Sequence, residues 1–251
     1  MRRFRRRYPK RSRKVFNVRS AHRAISTFSF PTRVSRTVRI RMKTHHFKQV
    51  YFPSATSLVF QAGNSGNTYT ASSGILTGPD NGGVGTTDGA WALMFRVTDL
   101  PQITSFAGLF DAYRINKVVV RFEPLVNMIQ YGAGGAAGNA GQTEFLSTVI
   151  DKDDNSPLTA YSQLLEYESF KETPGYRRHI RSMVPSVAAV MFKTSGTTVG
   201  FGQRIKPWID ITNTDVEHYG LKGYTQKNGS ANLQMVWKVF VTMYISFKQV
   251  R

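Results

Sequence analysis

Residues 233–247 read LQMVWKVFVTMYISF. Leu233, Met235, Trp237, Val239, Val241, Met243, Ile245 and Phe247 are apolar at every second position, without a break. A period of two is that of a strand with one face on a core. Fifteen residues at ~3.3 Å each make a strand roughly 50 Å long. A strand of that length needs a large sheet and a substantial core to cover it.

Working outward, the same pattern recurs through the chain. Val34, Arg36, Val38, Ile40 and Met42 alternate with Ser35, Thr37, Arg39, Arg41 and Lys43, giving one mainly apolar face and one face with three cations. Phe47–Phe60 reads as further strand interrupted by Pro53. Trp91, Leu93, Phe95 and Val97 alternate with Ala92, Met94, Arg96 and Thr98, and Asp99-Leu-Pro101 stops the run. Tyr113–Glu123 is dense in β-branched residues and closes at Pro124. Strands are also expected over Phe145–Asp151, Tyr176–Met183, Val187–Lys193 and Val216–Tyr224, the last ended by the Asn228-Gly229 turn. Leu158–Tyr167 is the one helix expected, with Ser156 as its cap, Pro157 in its first turn and a stripe of Leu158, Tyr161, Leu164 and Leu165. The Gly, Ser, Thr and Asn of residues 61–90 read as a long surface loop, and 132–141 as a flexible one. About eight antiparallel strands with no βαβ rhythm predict an all-β, single eight-stranded jelly roll or sandwich. One domain of 251 residues suits such a fold.

Charge divides the chain differently. Seventeen of its 34 Lys and Arg fall in residues 1–50, and the first acid is Asp80. The net charge of +19 therefore drops to +2 over the remaining 201 residues. The densest run, Arg2 to Lys14, is self-repelling and has little to bury, so residues 1–33 read as a disordered arm that needs a polyanion. Residues 34–251 are the folded body. Arg2, Arg3, Arg5, Arg6, Arg7, Lys10, Arg11, Arg13 and Lys14 are the phosphate-binding candidates of the arm, with nuclear import as a second use of the same residues. Arg39, Arg41 and Lys43 are the candidates on the body. Phe4, Tyr8, Phe16, Phe28 and Phe30 lie among the cations, where rings can stack on unpaired bases.

Other chemistry is thin. The chain has no cysteine, which excludes disulfides, Cys-ligated zinc and a thiol nucleophile. No apolar run reaches the ~20 residues of a membrane-spanning helix, and no apolar segment follows the basic start as in a secretory signal. A mitochondrial transit peptide shares the acid-free, Arg-rich composition, but such peptides are amphipathic and this run is basic on every side. Asp151, Asp153 and Asp154 suit a metal site or the turn chemistry of a strand end; no matching His or carboxylate motif lies nearby, which favours the turn. Gly132–Gly141 lacks the Gly-Lys-Ser/Thr ending of a phosphate loop. His45, His46 and His218 lack metal-ligand spacing. The sequon at Asn228 coincides with a turn signal. No metal, cofactor or catalytic group is expected.

Taken in order, these pieces resemble the capsid proteins of circoviruses and related viruses with small circular single-stranded DNA genomes. Arg2–Lys14 resembles the family's arginine-rich arm. Phe95–Pro101 followed by Tyr113–Pro124 is similar to its strand pair, with the Tyr-Arg-Ile segment and closing proline. Asp153-Asp154, Arg178-His179, Pro185 and His218–Leu221 fall in the expected order, and Val241–Phe247 resembles the last strand. The long Gly-rich loops at 61–90 and 127–142 depart from the pattern. The resemblance implies a jelly roll, a 60-subunit icosahedral T=1 shell, an arm directed onto viral single-stranded DNA, host nuclear-import receptors as partners, assembly in the host nucleus, and a host-cell receptor of unspecified identity. Sixty arms would supply about a thousand cations, a sensible fraction of the phosphates of a one- to two-kilobase genome.

Three rival readings remain. A satellite-type plant virus coat protein would pack single-stranded RNA with the same arm, since nothing in the arm detects a 2′-hydroxyl. A nuclease would use Asp151, Asp153 and Asp154. A ribosomal or nucleoid protein would also carry a basic tail.

Overall fold

The computed structural model describes residues 44–62, 67–78, 89–125, 145–193, 199–225 and 235–250. The arm, the expected strand at 34–43, the loop at 132–141 and the turn at 228–229 lie outside the described residues. Strands in chain order are β1 (Thr44–Tyr51), β2 (Leu58–Phe60), β3 (Thr68–Thr70), β4 (Ile75–Thr77), β5 (Gly89–Phe95), β6 (Phe110–Pro124), β7 (Phe145–Val149), β8 (Lys171–Pro174), β9 (His179–Met183), β10 (Ser186–Lys193), β11 (Val199–Ile205), β12 (Ile209–Asp210), β13 (His218–Thr225) and β14 (Val236–Val250).

The pairings resolve into two antiparallel sheets. The first runs β1–β14–β6–β9. The second runs β5–β13–β7–β8. These eight strands form the jelly roll expected from the sequence, and their order across each sheet alternates early and late segments, as in a double Greek key. The other six strands extend the edges. The β3–β4 hairpin continues the line of β1 along β14, β2 borders β5, β12 caps β6, and the β10–β11 hairpin adjoins β13.

The core lies between the sheets. From β14 it takes Trp237, Val239, Val241, Met243, Ile245 and Phe247, all essentially sealed from solvent. Each such side chain is worth about 1.5–3 kcal/mol of burial. Phe247 stacks on Phe110 and Phe106 at 5.1 and 4.9 Å, with Phe47 edge-on at 5.6 Å. Across the sandwich, Trp91 of β5 lies opposite Gly223 of β13. A Cβ at Gly223 would stand 2.1 Å from the indole, so only glycine admits that ring.

Several boundaries differ from the sequence reading, for physical reasons. Leu158–Tyr167 is not an α-helix; the helical part is a 3-10 turn at Tyr161–Glu166. Ser156 does not cap it, because the turn starts only at Tyr161, with Ala160 in the cap position; Ser156 N–H donates to Asp154 Oδ1 in a separate local turn. The Gln163 amide oxygen instead accepts from Thr159 and Ala160 N–H at 2.8 and 3.3 Å. Leu164 is buried while Leu165 is exposed, so the supposed stripe is not one face. Residues 61–90 are not wholly loop, since β3 and β4 lie within them. There Gly74 takes a left-handed φ of 67° beneath the Phe52 ring. The short helix α1 (Ile103–Ala107) was hidden between strand signals, and its Phe106 docks on the aromatic cluster.

Candidate nucleic-acid interface

Each sheet has a back face, turned away from the core, and the two are treated differently. The back of the second sheet is covered. Leu158 and Leu164, with Tyr161, Tyr167 and Phe170 beside them, pack on Ala90, Val149 and Tyr224. Under the edge of this cover lies Lys222 of β13, whose Nζ is 2.8 Å from Asp151 and 2.5 Å from Asp154. Burial works against both charges. It is outweighed at Asp151 by hydrogen bonds from Lys222, the Asp153 N–H and the Tyr167 hydroxyl, which hold its carboxyl below the usual range. Bonds to Asp151 and Asp154 likewise raise the Lys222 ammonium above its ordinary value despite burial. The acids considered for a metal site are thus engaged in an ion pair and turns, with Asp153 accepting from Gln203. Among the described residues no cluster of His, Asp and Glu is placed to hold a metal ion.

Among the described residues nothing comparable covers the back of the first sheet, and it is basic. The even positions of β14 place Lys238, Phe240, Tyr244 and Lys248 on it. Register sets Arg121 of β6 against Phe240, Lys117 against Tyr244, and Lys48 of β1 on the other side of Tyr244. Three aromatic platforms result. Arg121 and Lys238 lie 4.7 and 5.6 Å from the Phe240 ring, and Lys238 is 5.3 Å from Phe52. Lys117 and Lys48 lie 5.8 and 6.0 Å from Tyr244. Arg114 and Lys248 lie 4.6 and 4.7 Å from Trp208, which the segment before β12 brings in. These are cation–π distances. Such contacts hold a cation in place without cancelling its charge. Glu123 offsets part of the total, bonding Arg121 at 2.9 Å and Arg178 at 2.8 Å.

The twelve candidates from the sequence, Arg2, Arg3, Arg5, Arg6, Arg7, Lys10, Arg11, Arg13, Lys14, Arg39, Arg41 and Lys43, lie outside the described residues. The structure adds a set that sequence reading did not select: Lys48, Arg114, Lys117, Arg121, Lys238 and Lys248, with Phe240, Tyr244 and Trp208. A signal existed in the even positions of 238–248, which hold two lysines and two aromatics. A surface that pairs cations with half-buried rings is suited to single-stranded nucleic acid.

A two-sheet jelly roll with a cation-rich N-terminal segment and one basic face is the form of a viral capsid subunit. The chain belongs to the circovirus capsid protein family, whose model matches residues 2–251. It is therefore a capsid protein, a structural component of a virion rather than an enzyme. In fold it is similar to the BFDV capsid protein solved as a 60-mer, at 16% identity and TM-score 0.50, over 83% of this chain and 92% of that one. The decameric form of the BFDV protein matches at 17% identity and TM-score 0.45, over 83% of this chain and 100% of that one. The Cucumber Necrosis Virus structure matches at 12% identity and TM-score 0.41, over 83% and 57%. No curated protein sequence matches the chain.

Proposed function

We propose that this capsid protein assembles, as sixty copies, into a small T=1 icosahedral shell that packages circular single-stranded DNA. Residues 1–33 act as the nucleic-acid-binding and nuclear-import arm, and 34–251 as the shell-forming body. The observation that carries the reading is continuity. The acid-free basic segment leads directly in the chain into β1, an edge strand of the sheet whose back face bears cations on aromatic rings. The cations of the arm and those of the face each suit phosphates in no fixed register, so sequence specificity is low. Host nuclear-import receptors would read the run from Arg2 to Lys14.

Electron microscopy of the purified full chain tests assembly, and nuclease digestion of its extracted nucleic acid tests the cargo. Uniform small shells holding DNase-sensitive, single-stranded material are expected. Unassembled protein would refute the shell, and RNase-sensitive cargo would favour the satellite-type reading. Deleting 1–33 should abolish packaging while leaving the β circular dichroism of the body intact; loss of that signal would refute the division into arm and body.

A further inference from the structure

We propose that the back face of the first sheet contains a discrete nucleotide pocket beside Tyr244, which takes one base of the packaged strand and holds an adjoining phosphate. The proposal rests on the nucleic-acid reading above and adds a defined subsite to it.

Three independent features converge there. The first is a cavity of about 380 Å³, with His46, Asn116, Lys117, Val184, Lys206 and Tyr244 among its lining residues. That volume falls within the ~300–1,000 Å³ range of small-ligand sites. The second is a break in the β6–β14 ladder. Tyr244 faces Lys117 while Ile245 faces Ile115, so Asn116 is an extra residue. Bulges of this kind re-aim side chains beside functional sites. This one leaves Lys117 exposed at the cavity mouth and turns Asn116 into a polar chain: Arg114 Nε donates to Asn116 Oδ1 at 3.1 Å, Asn116 Nδ2 donates to Ser246 Oγ at 2.5 Å, and Ser246 meets His46 Nδ1 at 2.8 Å. The third is Lys206, the one described non-glycine residue with a positive φ, 51°. A lysine held in the left-handed region is strained, and strain of this sort clusters at ligand clamps.

The parts have complementary roles. Tyr244 supplies a ring for stacking, and Val184 an apolar wall. Lys117 on β6 and Lys206 just beyond β11 are exposed lysines that both line the cavity, and they would serve as a phosphate clamp. His46 and Asn116 offer hydrogen-bonding groups to a base edge. Stacking tolerates any base, so occupancy needs no sequence code.

Photo-crosslinking of the full chain to a single-stranded oligodeoxynucleotide carrying 5-iodouracil, mapped by mass spectrometry, tests the pocket. An adduct on Tyr244 is expected, with its yield falling several-fold in Lys117→Ala and Lys206→Ala. Affinity for a base-bearing oligonucleotide relative to an abasic one should fall about tenfold in Tyr244→Leu and be retained in Tyr244→Phe. Oligonucleotide binding with adducts confined to other aromatics would overturn the pocket and leave the packaging function standing. Failure of the full chain to bind either oligonucleotide would overturn both.

Discussion

The two back faces of the sandwich treat lysine in opposite ways. Lys222, on the second sheet, is buried, and two carboxylates neutralise it. Lys48, Lys117 and Lys238, on the first, lie against aromatic rings. A salt bridge removes charge from the surface potential; a cation–π contact retains it. The covered face therefore uses lysine for cohesion, and the open face keeps lysine available to an external anion. The same residue type becomes structural or functional according to what is laid over the sheet.

Substitutions that challenge this contrast should differ in size. Lys222→Met should have the largest effect. It leaves Asp151 buried without its counter-charge, and a loss of about 3–5 kcal/mol is expected from urea unfolding. Acid should come next. Burial is the main cause that pushes His179 down to about 3 and His218 down to about 4, with Lys171 and Arg181 adding to the shift at His179. The unfolded chain takes up these protons near pH ~6.5. Their contribution is thus complete above that pH and is lost as pH falls from ~6.5 towards 4 and then 3, by roughly a few kcal/mol in all. His179 is clasped between Thr148 and Thr173 hydroxyls at 2.7 and 2.8 Å, so His179→Gln should flatten the fall in unfolding midpoint between pH 7 and pH 4.5.

On the open face, Lys238→Ala should change stability by only about 0.5–1 kcal/mol. Its clearer effect is on binding: the slope of log affinity against log salt for single-stranded DNA should shrink by about 0.7 per cation removed. Lys48→Gln should be the mildest in stability, within about 0.5 kcal/mol, while shifting the salt slope equally. A large stability loss at Lys238, or no salt effect at either lysine, would erase the distinction between the faces.

Much of this fold could be read from the sequence where a strand has one apolar side. The odd positions of β14 declare themselves, and β6 and β13 nearly so. β8 and the β3–β4 hairpin did not, because Lys171, Glu172 and Thr173, or Thr68 and Thr70, belong to short strands with little apolar pattern. The segment at 158–167 misled because Leu and Tyr at helical spacing also serve a 3-10 turn that covers a sheet. The open face was harder still. Two of its aromatics are visible at even positions of 240–244, but Trp208 comes from the segment before β12, and the cations that cap the rings come from β1 and β6 as well as β14. Only the register brings Lys117 and Arg121 to Tyr244 and Phe240, and only the bulge at Asn116 puts Arg114 in step with the even positions of β14, opposite Ser246.

The most direct test is cryo-electron microscopy of particles assembled from the full chain around single-stranded DNA. The account predicts nucleic-acid density against the face bearing Phe240, Tyr244 and Trp208. Density against the second sheet instead, or a neighbouring subunit covering Phe240 and Tyr244, would contradict it.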